Sequence, residues 1–308
     1  MNTKEGNKRV IALGFFDGVH LGHGALLRRV TARAAQLDAI PAALTFARQP
    51  RELVTGKKTP LLNTAQDRAE LMKTCYGIQE VTALPFDRTM MEMPWDQFII
   101  QVVVGRFHAV HVVVGHDHRF GYRGEGTPER LEGLCRRLGL GCDIVKEVEL
   151  DGITVSSTYI RGLIEKGDMD RARRFLGHPH VLSGPVVHGK QLGRRLGIPT
   201  ANLVLPDGIL SPAFGVYATK VITADRSYLA VTNVGVRPTV DENGKETVEP
   251  WMLDYDGDLY GREIRIEFYT RLRPEKKFSG IEELKAEILR NADQTRVYFA
   301  RLEAEGQA

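Results

Sequence analysis

The sequence predicts an α/β unit built on a doubly wound parallel sheet, followed by an antiparallel β-barrel with a terminal helix. Three observations carry this reading. Up to about residue 180, short and almost wholly apolar runs alternate with segments of helix length. Beyond it, mixed β-branched and polar runs are separated by turn residues. A chain of 308 residues also exceeds what one core usually organises, since domains cluster near roughly 100–150 residues.

In the first half, residues 10–13, 42–46, 81–84 and 110–114 read as buried parallel strands. Helices cover both faces of such a sheet, so its strands show no polar alternation. Residues 22–37, 64–75, 94–107 and 128–138 are each long enough for a crossover helix, which makes a βαβ series. The pattern changes around Gly177-His178-Pro179-His180, so the expected domains are 1–180 and 181–308. Residues 216–222, 228–234, 247–255 and 262–269 read as strands. Asp225-Arg226-Ser227, Asn243-Gly244 and Asp256-Gly257 supply turn chemistry between them. From 280 to 302 the period returns to helical, with Ile281, Leu284, Ile288, Leu289 and Tyr298 available for one face.

Composition excludes several classes. The chain is 43% hydrophobic and 26% charged, which is globular rather than disordered. Lys and Arg number 42 against 39 Asp and Glu, and the resulting +3 is too small an excess to argue for nucleic acid. The basic pairs Lys57-Lys58, Arg136-Arg137 and Arg194-Arg195 are scattered and read as solvated surface. No run approaches the roughly 18 apolar residues of a membrane span. The polar first residues do not resemble a secretory leader. Cys75, Cys135 and Cys142 are an odd set without C-x-x-C spacing, which supports neither a disulfide framework nor a zinc site and fits a reducing cytoplasm.

Directly after the first strand comes Gly14-Phe15-Phe16-Asp17-Gly18-Val19-His20-Leu21-Gly22-His23. Two imidazoles three residues apart, at a strand-to-helix turn rich in glycine, would stand beside the free N–H groups of a helix N-terminus, where phosphate is favoured. The competing readings are a polar pair without function and a metal pair. The latter lacks further ligands nearby in sequence. Ser156-Ser157-Thr158-Tyr159-Ile160-Arg161 is a second phosphate candidate, because hydroxyls cap a helix and an arginine one turn in can grip phosphate oxygens. Taken alone, capping explains that run. Alongside His20 and His23 it would serve the other side of a triphosphate.

In the second half, residues 183–202 are dense in glycine and basic side chains and end in Pro199-Thr200-Ala201-Asn202. Glycines let a backbone approach phosphate closely, and Thr200 and Asn202 offer neutral oxygens of the kind Mg²⁺ accepts beside phosphates and water. A glycine-rich β connection with an incidental Pro-Thr turn is the plainer alternative.

The H-x-G-H turn with its preceding G-F-F-D-G-V, the V-G-H-D-H-R-F-G stretch at 114–121 and the S-S-T-x-I-R run resemble, in that order, the adenylyltransferase half of bacterial bifunctional riboflavin kinase/FAD synthetases. Residues 184–202 resemble the G-x-x-x-x-G-x-x-x-G-R-x-x-G-x-P-T-A-N signature of riboflavin kinases. The resemblance covers essentially the whole chain. It implies a Rossmann-like nucleotidyltransferase domain followed by a riboflavin kinase barrel, carrying riboflavin to FMN to FAD with ATP and Mg²⁺ in both steps. By it, His20 and His23 act on the α/β region of ATP, while Gly14, Asp117, Ser156, Ser157 and Arg161 hold the nucleotide. Gly184, Gly189, Lys190 and Gly193 wrap the second ATP, Thr200 and Asn202 meet its metal and phosphates, and Glu249 is the catalytic base. Asn233, Arg237 and Arg273, with Phe278, bound the flavin.

Three departures stand out. Thr45-Phe46-Ala47-Arg48-Gln49-Pro50 replaces the family's T-F-x-P-H-P, His118 stands where phenylalanine is usual, and Pro250-Trp251 replaces a small residue and a histidine beside Glu249. The implied partners are ATP, riboflavin and FMN, with flavoprotein clients as an open class and with neither nucleic acid nor membrane. A narrower reading keeps the kinase with a weak or lost adenylyltransferase. A reading from another class is a non-catalytic flavin-binding regulatory protein, against which His20/His23, Thr200/Asn202 and Glu249 all count.

Overall fold

The computed structural model describes residues 8–188, 197–236 and 246–306. Contacts divide the chain into two compact units: Met1–Thr59 with Ala65–Ser156, and Pro60–Thr64 with Ser157–Ala308.

The first unit holds a five-stranded parallel sheet in the order β3-β2-β1-β4-β5, with β1 at Arg9–Leu13, β2 at Ile40–Phe46, β3 at Glu80–Leu84, β4 at Ala109–Gly115 and β5 at Gly141–Val145. In register, Ile11 stands between Ala42 and Val112. The apolar runs are strands because both sheet faces are covered. Ile11, Leu13, Leu44, Val112 and Val114 pack with Leu131 and Leu134 of the helix Pro128–Leu138. The helix α1 (Leu21–Leu37) packs on β1, β2 and β4. The chain runs outward from β1 to β2 and β3, then crosses to the other side of β1 at β4. This reversal opens a crevice above the carboxyl ends of β1 and β4, where open α/β sheets bind their ligands.

A two-stranded antiparallel hairpin follows, β6 at Glu149–Leu150 and β7 at Ile153–Thr154. The second unit is a closed antiparallel barrel in the order β10-β11-β12-β9-β8-β13, with β8 at His180–Val187, β9 at Asn202–Leu203, β10 at Gly215–Ile222, β11 at Ser227–Val236, β12 at Glu246–Met252 and β13 at Glu263–Pro274. The helix Ile281–Ala304 packs on β10 and β11. Closure removes free strand edges. The expected α/β sheet, barrel and terminal helix are all present.

Several details differ from expectation. The 94–107 helix is a short turn at Trp95–Gln97 that widens into a π-helix over Phe98–Arg106. On the terminal helix, Ile281 and Leu289 are exposed, and Asn291, Ala292, Thr295, Phe299 and Leu302 are the buried face. The compact units divide at Ser156/Ser157, and the helix Met169–Leu176 packs on β8 and β13. Pro60–Thr64 also joins the barrel unit: Leu61 exchanges backbone hydrogen bonds with Gly208 and Leu210, and Asn63 Nδ2 donates to the carbonyl of Val181 at 3.1 Å. The turn at Asn243-Gly244 lies outside the described residues.

His180 is fully buried on β8, and neither ring nitrogen has a hydrogen-bond partner among the described residues. Burial, aided by nearby His178, pushes its pKa down to about 3. The unfolded chain therefore binds a proton near 6.5 that the native state refuses, so stability falls as pH drops from 6.5 toward 3. His180→Leu is expected to raise stability at pH 5 and to flatten this acid slope, as read by urea unfolding at several pH values. An unchanged slope would show that His180 does not govern it.

Candidate active sites

In the first unit the chain leaves β1 through a turn whose backbone is strained. Phe16 and Val19 sit at φ 59° and 43°, with Gly18 at 80° between them. A β-branched residue in this region is unfavourable and persists only where its surroundings fix it. The turn delivers His20 as the N-cap of α1, where its Nδ1 accepts from the His23 N–H at 3.4 Å. The two imidazoles stack with centroids 3.6 Å apart. At Gly22, a Cβ would come within 3.1 Å of the His20 ring, so glycine is what lets that ring lie over the helix start. Burial, then His20, then Arg68 hold the His23 pKa well below the usual imidazole range. The result is a neutral His23 imidazole stacked on His20 at a helix N-terminus, where it can meet phosphate oxygens without adding charge of its own.

Asp117 is exposed just past the end of β4. It thus stands at the other rim of the same crevice. Beside it lies an apolar cavity of about 570 Å³, walled by Phe46, Phe86, Phe98, Phe120, Met90 and His118 among others. His118 stacks on Phe120 at 5.4 Å, and burial brings its pKa down to about 4 against the opposing pull of Asp117. Gly14 lines this cavity, and a Cβ there would collide with the Phe16 ring at 2.8 Å. A side chain at 14 is thus excluded by the Phe16 ring. The aromatic wall escaped the sequence reading, since its members are spread over distant elements, although the clustering of phenylalanine at strand ends was its visible trace. Arg48 is exposed, and Gln49 is the N-cap of the helix Pro50–Thr55 without a side-chain capping bond.

The S-S-T-x-I-R run is divided between the units. Ser156 closes the first, while Ser157 and Arg161 belong to the helix Ser157–Lys166 of the second, where Arg161 donates to Thr158 Oγ1 at 3.3 Å.

In the barrel, β9 brings Asn202 against both β8 and β12. Pro250, on β12, cannot donate, but its carbonyl accepts from Ala201 N–H at 2.9 Å. The Pro-Thr-Ala-Asn segment is thereby tied beside Glu249. Successive residues of a strand face opposite ways. Pro250 and Met252 accordingly line one cavity, of about 300 Å³, with Thr200, Asn202 and the acidic turn at Asp256 and Asp258. Glu249 and Trp251 line another, of about 580 Å³, with Asn233, Arg273 and Phe278. Thr200 borders both. Asn233 stands directly opposite Glu249 in the β11–β12 register. Arg273 donates to Asn291 Oδ1 at 3.1 Å and lies over the Phe278 ring, while burial lowers its pKa despite Glu287.

Gly184 is mid-strand in β8, and a Cβ there would sit 2.7 Å from the Val204 carbonyl. A side chain there is excluded by packing alone. Gly189, Lys190, Gly193 and Arg237 lie outside the described residues. No group of three or more His, Cys, Asp or Glu among the described residues could hold a metal by itself. Thr200 and Asn202 would be the residues to hold a Mg²⁺ carried in on nucleotide phosphates, where the ion would neutralise phosphate charge.

A nucleotide-sized site on a sheet and a paired cavity in a barrel, each on its own unit, define a bifunctional phosphate-transferring enzyme. A family model described as FAD synthetase matches residues 2–159, and one described as riboflavin kinase matches 176–299. A bifunctional riboflavin kinase/FMN adenylyltransferase of Pseudomonas fluorescens is 37% identical over 92% of this chain and 90% of its own. One of Bacillus subtilis is 33% identical over 97% and 95%. A solved structure described as a macrolide-efflux protein of Streptococcus pneumoniae superposes with a TM-score of 0.82 at 29% identity, covering 94% of each chain. The chain belongs to the bifunctional riboflavin kinase/FMN adenylyltransferase family. No helix among the described residues is long and apolar enough to cross a membrane.

Proposed function

We propose that the barrel phosphorylates riboflavin at Glu249 and Thr200, and that the crevice above β1 and β4 adenylylates the resulting FMN through His20 and His23. The observation that carries the first assignment is Thr200, which borders both barrel cavities while Glu249 lines only the larger. A nucleotide in the smaller cavity presents its terminal phosphate at Thr200. A flavin in the larger one, against Trp251 and Phe278, presents its ribityl hydroxyl near Glu249. Glu249 accepts the hydroxyl proton as the oxygen attacks the γ-phosphorus and ADP leaves. Mg²⁺ supplies charge neutralisation on the phosphate oxygens.

In the first unit the phosphate oxygen of FMN attacks the α-phosphorus of ATP, the bond to the β-phosphate breaks, and pyrophosphate leaves. Positioning and charge stabilisation suffice for this in-line displacement. The aromatic cavity accepts the flat isoalloxazine, and the His20–His23 pair meets the phosphates. A cytoplasmic setting, supported by three free cysteines, and transfer of product to flavoprotein clients belong to the same reading.

Incubation with riboflavin, ATP and Mg²⁺, followed by chromatography of the flavins, is expected to show FMN and then FAD. FMN alone would favour the narrower kinase reading. Because Gln49 replaces a histidine next to the cavity wall at Phe46 and Pro50, FAD formation is expected to be the slower step, and Gln49→His to raise it without changing FMN formation. A drop in FAD formation in that variant would mean that the loop is adapted rather than weakened.

A further inference from the structure

Arg68, on the first turn of the helix Ala65–Tyr76, is the largest side chain among those withdrawn from solvent, at 0% exposure. A buried guanidinium is costly and is sustained only where its charge and its planar set of donors are used. Here both are. Its Nη2 donates to the carbonyl of Phe46 at 2.8 Å, at the end of β2. Its Cζ lies over the Phe15 ring, 4.3 Å from the centroid. The carboxylates of Asp17 and Asp67, both buried, act on its charge.

The pieces gripped by this one side chain are functionally distinct. Phe15 and Asp17 belong to the strained turn that delivers His20 and His23, and Phe46 is a wall of the aromatic cavity. A second link runs parallel, from Thr45 Oγ1 to the carbonyl of Phe15 at 2.8 Å. The turn and the cavity wall are thus clamped together from below.

We infer that Arg68 is a positioning residue for adenylyl transfer, holding the His20–His23 turn in register with the Phe46 wall so that nucleotide phosphate and flavin phosphate meet in line. This rests on the reading of the first unit as an adenylyltransferase. A lysine cannot reproduce it, because a single ammonium lacks the planar face for Phe15 and the fork that reaches Phe46. Arg68 also adds positive potential at His23. The charged and titratable groups acting there are His20 from the turn and Arg68 from the helix, with Asp17 and Asp67 in turn facing Arg68.

The test uses the full chain with Arg68→Met and Arg68→Lys, measuring FAD formation from FMN and, in the same preparations, FMN formation from riboflavin. Kinase activity is expected to stay at the wild-type level in both. FAD formation is expected to fall on the order of 10²-fold in kcat in the Met variant, the scale of a small misplacement of reacting groups. KM for ATP and FMN should rise together, and Lys should restore only part of the loss. Removing the positive neighbour should also move the acid limb of the FAD-forming pH profile upward in Met but not in Lys, a shift that a purely structural role does not produce. Variants folded by circular dichroism that form FAD with wild-type kcat, KM and pH profile would overturn the inference. So would a loss that merely tracks the unfolded fraction. A wild-type chain that forms no FAD at all would instead overturn the adenylyltransferase reading and the inference with it.

Discussion

Glu249→Gln is expected to lower FMN formation by roughly 10²–10⁴-fold, the usual contribution of a positioned general base. The amide keeps the shape of the side chain and its place opposite Asn233 but cannot take the hydroxyl proton. Riboflavin binding, followed through flavin fluorescence, should survive, because the larger cavity keeps Trp251, Phe278 and Arg273. FAD formation from supplied FMN should also survive, because His20 and His23 lie in the other compact unit. The pattern to look for is a fall in kcat with little change in KM for riboflavin, which marks an interaction made mainly in the transition state. A Gln variant that forms FMN at the wild-type rate would remove Glu249 from the mechanism and leave Thr200 and Asn202 as its only supported members.

The two architectures were legible in the sequence because each has its own period. Apolar runs without alternation mark strands covered on both faces, and residues 10–13, 42–46 and 110–114 became such strands, while 81–84 became a half-buried edge strand with Ala83 exposed. What stayed hidden was set by packing at a distance. The strand Gly141–Val145 carries a glycine, a cysteine and an aspartate and does not look apolar. Its Asp143 is nonetheless drawn in by Arg33 and His111. Residues 183 and 184 drew attention as the start of a glycine-rich stretch suited to phosphate, and β8 runs through them, with a Cβ at 184 only 2.7 Å from the Val204 carbonyl. The site followed the same rule. Contiguous motifs such as His20–His23 and Thr200–Asn202 were visible, whereas the aromatic cavity and Arg68 are assembled from residues far apart in the chain.

His20 offers the sharpest probe of the first centre, since it has two roles that substitution can part. Its Nδ1 caps α1 by accepting from His23 N–H, and its ring stacks on His23 beside the expected phosphates. Loss of a cap costs about 1 kcal/mol of stability, whereas loss of one group that stabilises transition-state charge costs about 10²–10³-fold in rate. His20→Asn keeps a capping oxygen and discards the imidazole, and His20→Ala discards both. Both variants are expected to lose FAD formation by at least two orders of magnitude while forming FMN normally, and only Ala should also lower the melting temperature. Because His23 is held neutral far below the ordinary imidazole range of 6.5, wild-type FAD formation should persist at pH values where a free imidazole would already be protonated. If His20→Asn forms FAD at the wild-type rate while Ala does not, the histidine is a cap, and the chemistry at this turn belongs to His23 and the helix N-terminus alone.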